Sequence, residues 1–111
     1  MPSLSNAQAI ESIIRSQLRA LGYHSIQIEK EDIKNKSFDV IAEGALRNIF
    51  LRVLVRMVSE GFQELSPNEI IKIKQEAQSV MKEPWTAILS VNEKGELIDK
   101  IQWKNLSRQY A

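Results

Sequence analysis

Apolar residues recur along this chain in two rhythms. In "SNAQAIESIIRSQLRALG" (residues 5–22), Ile10, Ile13, Ile14, Leu18 and Leu21 fall three or four apart and line one stripe of a helix. Ser5 or Asn6 is placed to cap its start and Gly22 to end it. The period then drops to two. "HSIQIEKE" (24–31) alternates Ile26 and Ile28 with polar residues, the mark of a half-buried strand. The charged, irregular "EDIKNKS" (31–37) reads as a turn. "FDVIAEG" (38–44) is a second strand, and "EGALRN" (43–48) turns the chain again. "NIFLRVLVRM" (48–57) is nearly continuous apolar sequence rich in β-branched residues, which predicts a central strand covered on both faces.

After the loop "VSEGFQEL" (58–65), the helical period returns in "SPNEIIKIKQEAQSVMK" (66–82). Ser66 is the expected N-cap, Pro67 suits the first helical position, and Glu69 completes a capping box. Ile70, Ile73, Ala77, Val80 and Met81 form the expected buried stripe, and Pro84 marks the stop. "PWTAILSV" (84–91) and "ELIDKIQW" (96–103) are the last two strands, joined by the turn "NEKG". The expected tail "NLSRQYA" (105–111) is the best candidate for a frayed end.

Short turns between strands one, two and three predict an antiparallel meander. The helix between strands three and four predicts a parallel pair, and the last two strands form a hairpin. The expected architecture is α/β (α+β): a mixed five-stranded sheet in order 1-2-3-4-5 with a helix on each face. On the third strand Ile49, Leu51, Val53 and Val55 share the core face, while Phe50, Arg52, Leu54 and Arg56 share the other.

The chain of 111 residues suits one domain, residues 1–111 with a core of about 5–106. With no cysteine it offers neither disulfides nor thiolate metal ligands, and it fits a reducing cytoplasm. No stretch reaches the ~20 apolar residues of a membrane span, and the start "MPSLSNAQ" lacks the pattern of a signal peptide. A net charge of +1 excludes nucleic-acid binding by bulk attraction, so such binding needs a local basic strip. Arg52 and Arg56 on the third strand, extended by Lys72, Lys74 and Lys82 on the second helix, are the candidates. Glu69, Glu76 and Glu83 dilute that strip. His24 has no second His or Cys to join it, and no Ser has a His–acid partnership for nucleophilic catalysis. Trp85 and Trp103 are read as core or cross-strand packing.

The order of elements, with Asp39 opening the second strand and "IFLRVLVR" forming the third, resembles the PD-(D/E)xK nuclease superfamily, the restriction-endonuclease-like fold. The resemblance implies a site on the second and third strands, where carboxylates hold Mg²⁺ and a lysine stabilises developing negative charge. Asp39 matches the first Asp, and Glu11 in "AQAIESIIRS" matches a Glu of the first helix. The acid of the acid-x-lysine motif falls on Arg52 and its lysine on Leu54, so both are replaced. Gln75 or Lys74 stands where some members keep an extra polar residue. The broken motif implies a nuclease-like domain without catalysis or cofactor that binds DNA, RNA or a protein. One alternative is a Mg²⁺-dependent nuclease whose site has migrated to Asp39 and Glu11. A second is an α/β interaction domain unrelated to nucleases. A buried Arg52 requires a counter-charge, and Asp39 or Glu11 is the expected one. Nucleases of this fold often dimerise, which implies a homo-oligomer through the exposed edge of the last strand.

Overall fold

The computed structural model describes residues 2–32, 37–57, 65–92, 94 and 96–108. Helix α1 (Pro2–Ala20) is followed by strands β1 (Tyr23–Asp32), β2 (Ser37–Gly44) and β3 (Asn48–Met57), helix α2 (Pro67–Ser79), and strands β4 (Glu83–Val91) and β5 (Gln102–Asn105). A 3-10 turn, Leu106–Arg108, follows β5. The five strands form one sheet in the order β1-β2-β3-β4-β5. β3 and β4 run parallel, and every other neighbouring pair is antiparallel.

Alternation along the strands decides what each helix covers. On one face Ile10, Ile14 and Leu18 of α1 pack on Phe38, Val40, Ala42, Ile49, Leu51, Val53, Ala87, Leu89 and Val91. On the other, Ile73 and Ala77 of α2 pack on Phe50 and on Leu106 from the 3-10 turn. β3 therefore contributes to two cores, which explains its continuous apolar run. Leu18 and Leu51 are fully buried, and truncating either to Ala costs about 3 kcal/mol.

The helix ends differ from expectation. α1 begins at Pro2 rather than near Ser5 or Asn6, because proline is tolerated in a first turn. It stops before Leu21, which is exposed, and the chain reverses at Gly22 with φ +100°. In α2, the Ser66 hydroxyl accepts from the Glu69 N–H at 3.2 Å, as the cap predicted. The helix ends at Ser79, however, and Met81 takes a left-handed φ of 59° with its amide donating to Gln78 O. Val80 and Met81 consequently lie in solvent instead of in the buried stripe.

β5 is also displaced. Of the expected strand 96–103, Leu97 makes only an isolated bridge to Val91, and regular pairing resumes where Gln102 meets Ile88. Local side chains compete with the ladder here. Asn92 Oδ1 accepts from the amides of Lys94 and Glu96, and Asp99 Oδ1 accepts from Lys100 N–H. The expected tail is anchored in part, since Leu106 is fully buried. Residues 109–111, the turn at 33–36 and the loop at 58–64 lie outside the described residues.

Candidate functional site

Asp39 and Arg52 are direct partners in the β2–β3 ladder, so their side chains leave the same face of the sheet. Arg52 Nε donates to Asp39 Oδ1 at 2.6 Å, and Nη2 donates to Oδ2 at 3.1 Å. This is the bidentate fork for which a guanidinium is suited. Arg52 Nη2 also donates to Glu76 Oε2 of α2 at 2.9 Å. One cation thus bridges two carboxylates brought from a strand and a helix.

Local geometry places all three. Ile73 and Ala77 are buried beneath α2. Glu76, three residues after one and one before the other, stands on the flank of that buried seam. The Asp39 side chain is 11% exposed, Arg52 20% and Glu76 48%. Arg52 is paired on its other side with Thr86 of β4, which is buried and faces Lys104 of β5. A row of Asp39, Arg52, Thr86 and Lys104 therefore crosses four strands on the α2 face. Burial works to lower the pKa of Arg52, but hydrogen bonding and attraction from Asp39, then Glu76, outweigh it and hold the group above its ordinary value.

Of the two expected counter-charges, Asp39 pairs with Arg52 and Glu11 does not. Glu11 is half-buried on α1, beside Gln8, Ser12 and Arg15. The stripe of α1 packs on the sheet face opposite Asp39, so the strands intervene between these two acids. Leu54 follows Arg52 on the same face of β3, half-buried. Gln75 is exposed: two residues past Ile73 it points about 200° round the helix, away from the sheet. Lys72 is exposed, whereas Lys74 and Arg56 are half-buried and both engaged in interactions. Glu43, further along β2, accepts from Lys82 Nζ at 3.3 Å. His24 is exposed.

Sequence reasoning treated Glu76 only as a dilution of positive charge. The signal that could have found it was the need of a buried Arg52 for neutralisation, together with the one acid flanking Ile73 and Ala77. Glu83 was likewise counted only as a dilution, on the second helix, whereas it opens β4. Its Oε1 accepts from Arg47 Nη1 at 2.6 Å, Trp85 Nε1 at 2.7 Å and Asn105 Nδ2 at 2.9 Å. The Arg47 guanidinium lies over the Trp85 ring, 5.7 Å from its centroid.

As a metal site the Asp39 cluster fits poorly. Among the described residues, no three His, Cys, Asp or Glu side chains converge to hold an ion. Both oxygens of Asp39 face a guanidinium. As an anion site it is better furnished. A guanidinium carries five N–H donors. Nε and Nη2 serve the carboxylates, and among the described residues Nη1 has no partner.

No protein-family model matches the chain, and no curated protein does. Solved structures do. The chain is similar to Hjc of Archaeoglobus fulgidus, a Holliday junction resolvase from an archaeal hyperthermophile, with a TM-score of 0.56 and 16% sequence identity over 86% of this chain and 75% of that one. No helix among the described residues is long and apolar enough to cross a membrane. The element order, the sheet order and this likeness agree: the chain has the restriction-endonuclease-like fold.

Proposed function

We propose that this chain is a nuclease-fold domain that has exchanged metal-dependent catalysis for nucleic-acid binding. One observation carries the reading. Arg52, at the position where the resemblance puts a metal-binding acid, is ion-paired to Asp39, the one acid of the motif that remains. A divalent ion held by Asp39 would lie ~4 Å from that guanidinium, and the repulsion amounts to several kcal/mol at an effective dielectric of about 20. The same exchange adds a phosphate-compatible group to the face that bears Arg56 and Lys104. The solved neighbour is named a Holliday junction resolvase, which supports DNA over a protein as the first ligand to test.

Net charge is only +1, so affinity must come from this face. The expected binding is salt-sensitive, with a log–log slope of about −2 to −4 for a few phosphate contacts. Fluorescence anisotropy of labelled four-way junction, duplex and single-stranded DNA, and of RNA, tests this, with EDTA and with Mg²⁺. Binding that falls with salt, ignores EDTA and leaves the probe intact is the expected result. Mg²⁺-dependent cleavage abolished by Asp39→Ala would overturn the loss of catalysis. Absence of binding to every probe at low salt would overturn the ligand class.

A further inference from the structure

We propose that the outer edge of Arg52 is the phosphate-binding position of this face, and that Glu76 is a resident competitor which an incoming phosphodiester displaces. The inference rests on the reading that the domain binds nucleic acid and specifies how the same residues do it.

The argument starts from the edges of the guanidinium. Asp39 takes the side edge through Nε and Nη2 and fixes the plane of the group. The end edge, Nη1 with the second hydrogen of Nη2, can present two parallel donors to a second oxyanion. Glu76 occupies only half of it, by one bond of 2.9 Å from Nη2. Nη1 has no partner among the described residues. A phosphodiester offers two non-bridging oxygens and can take both donors.

The two carboxylates are held with unequal firmness. Asp39 is 8% exposed as a residue, is bound through both oxygens, and sits on a central strand of the sheet. Glu76 has a side chain 48% exposed, is bound through one oxygen, and reaches Arg52 along a flexible stem from the flank of α2. Displacing Glu76 returns its carboxylate to water at small cost, as for other exposed ion pairs. Displacing Asp39 would strand a buried charge. The exchange is therefore directional: Asp39 stays and orients Arg52, and Glu76 leaves.

Charge count gives the same direction. Arg52 with Asp39 and Glu76 sums to −1, which repels a polyanion. Arg52 with Asp39 alone is neutral and still holds two oriented donors. Glu76 thus lowers affinity at rest, and restricts tight binding to ligands whose geometry rewards the end edge.

Anisotropy titration of one labelled DNA with wild-type protein, Glu76→Gln, Arg52→Lys and the double variant tests the proposal. Glu76→Gln is expected to bind about threefold to tenfold more tightly, because the second donor of the end edge no longer has a carboxylate to lose before it meets a phosphate oxygen. The gain is expected to vanish in the double variant, because lysine keeps the charge but has no end edge. If wild type binds and Glu76→Gln binds no better, or if the gain survives Arg52→Lys, the competitor role is wrong while nucleic-acid binding stands. If neither wild type nor Glu76→Gln binds any DNA, both readings fail together. A second measurement does not depend on the Arg52 variant folding. The side-chain Nη resonances of Arg52 in wild-type protein should shift on adding DNA, while its Nε resonance, held by Asp39, stays near its free position. An unmoved Nη signal at saturating DNA would overturn the proposal.

Discussion

Two arginine–carboxylate clusters stabilise this sheet, and they are built in opposite proportions. In the cluster on the α2 face, two acids, Asp39 and Glu76, share one cation, Arg52. In the cluster where β3 meets the start of β4, one oxygen of Glu83 accepts from Arg47, Trp85 and Asn105. The Glu83 cluster has its donors in excess and its acceptor saturated. It ties the β2–β3 turn to β4 and β5, and Arg47 is stacked on Trp85. Among the described residues Arg47 is bound to no second acid that an incoming anion could displace. The Asp39 cluster has acids in excess, one of them half in water, and its cation keeps unused donors. The same residue types make a clamp in one place and an exchangeable site in the other. What differs is the ratio of charges and the burial of each carboxylate.

The largest effect should come from Asp39→Ala. It leaves Arg52 beneath α2 with only the exposed Glu76 for neutralisation, and the expected loss is roughly 3 kcal/mol, the low end for breaking a buried pair. Urea unfolding measures it. Combining Asp39→Ala with Arg52→Leu should recover much of the loss, because removing both charges relieves the uncompensated one. A double variant as unstable as the sum of the singles would show that the two side chains act independently, and the contrast between the clusters would fail.

How far these clusters were legible in the sequence follows from what each required. Arg52 was visible because a guanidinium on a central strand demands a partner, and the family resemblance put Asp39 and Glu11 near it. The sheet order followed from turn lengths and the helical crossover, and the limits of β3 from its nearly continuous apolar run. Glu76 and Glu83 were hidden because their partners come from other elements: Glu76 reaches a strand 24 residues away and Glu83 reaches Arg47 at 36. Periodicity ranks positions by burial and says nothing of which acid a bridging cation will choose. The ends of α2 and β5 were misplaced for a related reason. Met81 adopts a left-handed backbone without glycine to announce it, and Asn92 and Asp99 bond their own backbone where pairing was expected.

A smaller effect is expected from Glu83→Ala, about 1–2 kcal/mol. The three donors it abandons keep partial access to water, since the Glu83 side chain is 30% exposed and that of Arg47 43%. Glu83→Gln should cost less still, because an amide oxygen accepts the same hydrogen bonds without attracting Arg47 as strongly. Thermal denaturation of both variants checks the order. Neither should alter DNA affinity by more than its change in net charge implies, whereas Glu76→Gln should act through Arg52. Equal gains in DNA binding from Glu83→Gln and Glu76→Gln would erase the distinction between clamp and exchangeable site.

The smallest effect lies at alkaline pH and reads the Glu83 cluster through its neighbour Tyr23. Burial raises the pKa of the Tyr23 phenol above its ordinary 10.0, the positive charge of Arg47 opposes that rise, and Glu83 adds to it. A folded value above the unfolded one means that the contribution of Tyr23 to stability is fully present below pH 10.0 and is lost as pH rises through the folded value. The informative quantity is the difference between wild type and Tyr23→Phe. Wild-type stability should fall more steeply with pH above 10.0 than that of the variant. Replacing Arg47 with Gln removes the opposing charge, so the folded value should climb further and the alkaline decline should steepen. Parallel curves for wild type and Tyr23→Phe would mean that Tyr23 is solvated as freely in the folded chain as in the unfolded one.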